Sequence, residues 1–138
     1  MYGSKGGIDQ YRKTTKAIDT DDPHRVIALL LAGAIERTGL ARAAIDRSDL
    51  QGKLAAVQSA LGIVDGLRLS LDRQAGGEIA EGLESLYDYI AQRLVEANVE
   101  NDTAKLDEVV RLLREIETAW AAIPAQLRAA HPSEHAGA

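Results

Sequence analysis

Large apolar residues recur along this chain in steps of three and four. Leu50, Leu54, Val57, Leu61, Val64, Leu67 and Leu71 follow that spacing, and Ile79, Leu83, Leu86, Ile90, Leu94 and Ala97 repeat it. The most regular series is Leu106, Val109, Leu113, Ile116, Trp120 and Ile123. Each series lies on one face of an α-helix and cannot lie on one face of a strand. An earlier stripe, Ile27, Leu30, Ala34, Ala41 and Ile45, is widened at its start by the apolar run 26–31, so that helix is expected to be buried on more than one side. Punctuation separates the four. Asp22-Pro23 supplies an N-cap followed by a residue that needs no amide partner, Ser48-Asp49 is a turn, Gly76-Gly77 interrupts the pattern ahead of Glu78, and Asp102 is placed to cap the last helix. Four helices joined by short turns predict an all-α, antiparallel up-and-down four-helix bundle. Residues 1–21 then form an N-terminal arm, 22–130 the bundle, and 131–138 a disordered tail with nothing to bury.

Composition agrees with helices and narrows the core. Of 138 residues, 23 are Ala and 17 Leu, whereas there is no Phe and only one Trp, so the core must be aliphatic and closely packed. Cysteine is absent, which excludes disulfides and thiolate sites. The start has no apolar run of the signal-peptide kind and no segment could cross a bilayer, so a cytoplasmic protein without membrane insertion is expected. Net charge is −5 overall; residues 1–19 carry four Lys/Arg against two Asp, which leaves −7 on the remainder. An acidic body argues against nucleic acid as a partner.

No catalytic constellation stands out. His24 falls in the first turn of a helix, and His131 and His135 fall in the tail, so no histidine is expected at a bundle centre. The Glu78, Glu81 and Glu84 series marks a solvated helix edge. There is no phosphate-binding glycine motif. The chain is therefore expected to be no enzyme and to need no cofactor or metal.

Two surpluses point towards binding. Gly33, Gly39, Gly62, Gly66 and Gly82 fall inside the helices, where each glycine costs about 1 kcal/mol relative to alanine. Gly62 and Gly66, one turn apart and flanked by Ala55, Ala56, Ser59 and Ala60, leave the second helix without bulk. That face either packs closely inside the bundle or accepts a segment of a partner. Ile63, Leu69, Tyr87, Tyr89 and Val95 also lie off the core stripes, and this extra apolar surface wants cover. Ile8 and Tyr11 of the arm could supply it. A homo-oligomer interface is the competing use of such a face.

The stretch 71–80, LDRQAGGEIA, continuing through Leu83, Leu86-Tyr87-Asp88-Tyr89 and Leu94-Val95-Glu96-Ala97-Asn98 to Asp102, resembles the FliS family of flagellar secretion chaperones. Gly7-Ile8-Asp9-Gln10-Tyr11, Pro23-His24, Gly33-Ala34, Ile63-Val64-Asp65-Gly66-Leu67, Glu108-Val109 and Ala119-Trp120 extend the resemblance over most of residues 2–123. It implies a helical bundle that binds the disordered C-terminal segment of flagellin in the cytoplasm, prevents premature polymerisation and keeps the client competent for type III secretion. It implies a monomer or weak homodimer, with the flagellar export gate as a further partner, and an arm lying over the groove. Carried over, Ile8, Tyr11, Gly62, Gly66, Leu71, Leu83, Tyr87, Ile90 and Asn98 become the client-contacting or groove-supporting positions, although Leu83, Leu86 and Ile90 fit a plain core role equally well. The chain departs from the family pattern at Leu31-Ala32 and at Gly82, where a smaller and less polar groove is expected.

Overall fold

A computed structural model describes residues 23–122 and 129–131. Among these, four helices run in order: α1 (Pro23–Asp46), α2 (Leu50–Leu69), α3 (Arg73–Glu100) and α4 (Thr103–Ala122). Each helix packs against its neighbours in the chain, and α4 returns to α1, which closes the ring of an antiparallel bundle. No helix among the described residues is long and apolar enough to cross a membrane. The arm, with Ile8 and Tyr11, and residues 132–138 of the expected tail lie outside the described residues.

The helix ends follow from local chemistry. Asp49 caps α2 by accepting from the Gly52 amide at 2.9 Å, Asp72 caps α3 by accepting from Gln74 and Ala75 at 3.0 Å, and Asp102 caps α4 by accepting from Ala104 at 2.9 Å. Asn101 ends α3 in the left-handed region (φ 53°), which asparagine tolerates better than most residues. The glycine pair does not start the third helix, as its position suggested. With Asp72 as cap, a first turn forms ahead of it, and the helix kinks at Gly77 (φ 52°, ψ −130°), a conformation closed to residues with a Cβ.

The α4 stripe packs as its spacing predicts: Leu106, Val109, Leu113, Ile116 and Trp120 are all buried. On α2 the expected face holds at Val57, Val64 and Leu67 and fails at its start. Its seam runs through Lys53, Ala56, Val57, Ala60, Ile63, Val64 and Leu67, while Leu50 and Leu54 are 68% and 44% exposed. Ile63, expected outside the core, is inside it. On α3 the expected Leu83, Ile90, Leu94 and Ala97 are buried, Tyr87 joins them fully buried, and Ile79 is left 41% exposed.

His131 does not belong to a tail. It is 3% exposed and lies at the end of the bundle. Ser70 Oγ is 2.6 Å from its Nδ1, the Tyr87 hydroxyl 3.0 Å from its Nε2, and the edge of Trp120 faces its ring. Trp120 stacks on its other side against His24 and donates its indole N–H to the His24 carbonyl at 2.8 Å, so both described histidines help close this end of the core.

Candidate binding surface

With the core filled, several large apolar side chains remain outside it, and they concentrate on α2 and α3. Along the flank of α3 that faces α4, Ile79, Gly82, Leu86 and Tyr89 succeed one another by three, four and three residues. Ile79 is 41% exposed, Leu86 is half-buried, and a Cβ added at Gly82 would meet nothing within 4 Å. The glycine thus widens the flank, where the sequence suggested a smaller groove. Charges close this strip at one end. Tyr89 donates its hydroxyl to Glu108 at 2.7 Å and accepts from Arg93 at 2.8 Å, and the Arg93 guanidinium lies 5.2 Å from the Tyr89 ring centre. Arg93 also pairs with Glu108 and Glu96, and Lys105 joins Glu96 to Glu100. Hydrogen bonds from Lys105, Gln92 and Arg93 hold the Glu96 carboxyl down to about 2.

A second apolar group stands where the start of α2 meets the end of α3. Lys53 is buried, and its ammonium donates to the Asn98 carbonyl at 2.8 Å and to Asn101 Oδ1 at 2.7 Å. The positive charge thereby sits on the carbonyl end of α3, where the helix dipole favours it. Next to these residues in the chain, Leu54 and Val99 are exposed, as are Leu50 and Val95. The Asn98 side-chain oxygen is buried without a hydrogen-bond partner, so this junction holds an unused acceptor beside apolar surface.

The positions singled out from sequence separate into three sets. Leu83, Tyr87 and Ile90 are core residues. Gly62 is buried in α2, Gly66 and Leu71 are half-buried, and Asn98 is partly buried at the α2–α3 junction. Ile8 and Tyr11 lie outside the described residues. Leu69, Tyr89 and Val95 are exposed, as their places off the stripes suggested. Leu50, Leu54, Ile79 and Val99 were missed as surface residues. Leu50, Leu54 and Ile79 lie in line with residues that are buried, so spacing alone does not separate them from the core.

No cluster of His, Cys, Asp or Glu among the described residues could hold a metal ion. The groove between α1 and α4, lined by Gly39, Val110 and Thr118, is rimmed by ion pairs of Arg42 with Asp107 and Arg111 with Glu115.

The class defined by these features is a small antiparallel helical bundle carrying apolar strips outside a completed core. The family of flagellar protein FliS matches residues 7–127, and the chain belongs to that family. It is 43% identical over 122 residues to the flagellar secretion chaperone FliSB of Pseudomonas aeruginosa, an alignment covering 87% of this chain and 96% of that protein. It is 38% identical over 123 residues to the flagellar secretion chaperone FliS of Salmonella typhimurium and 35% identical over 122 residues to that of Vibrio cholerae, covering 87% of this chain and 90% of each relative.

Proposed function

We propose that this protein is a non-enzymatic flagellar secretion chaperone acting in the cytoplasm, and that its client is the disordered C-terminal segment of flagellin. The observation that carries the reading is the apolar surface left over when the core is complete: Ile79, the open step at Gly82, Leu86 and Tyr89 on one flank of α3, and Leu50, Leu54, Val95 and Val99 at the α2–α3 junction. A client that orders only on binding must recover its ordering entropy from a long contact, and strips running along helices provide one. The secretion-chaperone names of its relatives support the same reading. In this arrangement Leu71 and Asn98 touch the client, the arm with Ile8 and Tyr11 covers the surface when no client is present, and Leu83, Tyr87 and Ile90 support the strip from beneath.

Titration calorimetry against flagellin tests this. Full-length flagellin should bind, and flagellin lacking its C-terminal helical segment should not. Undiminished binding by the truncated client would refute the proposal. Light scattering on the chaperone alone addresses self-association, since a dimer that survives dilution would assign the same strips to a second copy of the chain.

A further inference from the structure

The contacts of His131 describe a device that the binding function does not use. Ala130 and His131 are held at the open end of the bundle by three separate interactions. The Asp72 amide donates to the Ala130 carbonyl at 3.1 Å. Ala130 is fully buried against Gly76, so closely that a Cβ at position 76 would lie 2.7 Å from the Ala130 Cα. The imidazole, finally, is bonded at both nitrogens. The protons on this ring can be assigned. Ser70 has one hydroxyl hydrogen and gives it to the Leu67 carbonyl at 2.8 Å, so towards His131 its oxygen must accept. Nδ1 therefore carries the ring proton, and Nε2 accepts from the Tyr87 hydroxyl. The chain of bonds runs from Tyr87 through His131 and Ser70 to Leu67, and it requires a neutral ring.

We propose that Ala130 and His131 form an acid-released latch on the α2–α3 end of the bundle. A second proton, at Nε2, would face the Tyr87 oxygen. The tyrosine would have to turn its own hydrogen away into a buried site, and among the described residues no carboxylate is paired with the ring to balance the new positive charge. The groups facing the ring from each element bear this out. Trp120 on α4 is neutral, and His24 on α1 lies beyond it. Arg68 on α2 is directed to Asp88 and Glu84, and the Asp72 carboxylate is engaged with the Gln74 and Ala75 amides. Tyr87 on α3 is itself buried and held protonated. Burial of His131 pushes it down to about 4, in keeping with this geometry. Release would free the Asp72 amide and uncover Gly76 beside the kink of α3.

A nitrogen-15 titration of the full wild-type chain from neutral pH to about pH 3.5 tests the latch, because free histidine titrates near pH 6.5. At neutral pH the ring should show the Nδ1–H form. Its midpoint should require about tenfold or more proton beyond that of free histidine, and the Asp72 amide and the fluorescence of Trp120 should change in the same step while helical circular dichroism holds. His131→Gln should remove that step. An Nε2–H form, a free-histidine midpoint, helix loss within the same step, or a step that persists in His131→Gln would each overturn the proposal.

Discussion

At the scale of single residues, the most constrained positions are those with no room or no alternative partner. Gly76 has the Ala130 backbone and the Ala80 methyl where its own side chain would be. Gly76→Ala should therefore lower stability by roughly 1–3 kcal/mol, read from urea unfolding midpoints. Lys53 donates to both Asn98 O and Asn101 Oδ1. Lys53→Ala should cost about 1–3 kcal/mol by leaving those acceptors without a partner at a buried junction. His131 gives stability a pH dependence with a definite sign. Its folded value is depressed to about 4 from an ordinary 6.5, so between these the unfolded chain binds the proton first. The stabilisation is complete above about pH 6.5 and falls away as pH drops through about 4, by up to ~3 kcal/mol. Denaturant melts across that range check this against His131→Gln, whose profile should be flatter. None of these three positions was legible from the sequence as what it is. A lysine within an apolar series reads as surface, and a histidine just ahead of a proline and a polar end reads as tail. Both are decided by partners about 45 or more residues away in the chain, as the contacts of Lys53 with Asn98 and of His131 with Tyr87 show.

At the scale of elements, the helices themselves were legible, because caps and periodicity are local. Asp102 caps α4 where its place suggested, and among the described residues α4 buries those its 3-4 spacing selects; Asp49 and Asp72 cap α2 and α3 by the same local bond. The less legible feature was the start of α3, where a pair of glycines reads as an interruption and the structure has one helix with a kink. Gly77→Ala should cost roughly 1–3 kcal/mol, since its φ of 52° with ψ of −130° suits glycine alone. Gly82 is the opposite case. Its helix is regular and its Cβ position is open, so Gly82→Ala should stabilise the free protein by up to about 1 kcal/mol. If the flank of α3 receives the client, Gly82→Leu should keep the fold yet weaken flagellin binding about tenfold or more, because the bulk would fill the step between Ile79 and Leu86. Thermal melts paired with calorimetry separate the two effects.

For the whole molecule, the ring of four helices divides the apolar residues into a filled core and strips that remain outside it. Changing Ile79 and Val95 together to glutamate should reduce flagellin affinity about tenfold or more while shifting the melting temperature little, because both side chains are already near half exposed. A large loss of melting temperature without loss of binding would show instead that these residues are structural. Tyr89 and its ion-pair network with Arg93 and Glu108 bound the strip on one side. The number of helices, their antiparallel order and the start of α4 at Asp102 are determined by the sequence alone, because capping, helix periodicity and short turns act over a few residues. That Tyr87 and Ile63 are core while Leu54 and Ile79 are surface, and that His131 closes the bundle, were decided only by the tertiary structure. Those outcomes depend on which backbones can approach closely and on which buried polar groups find partners, and both are settled between residues distant in the chain.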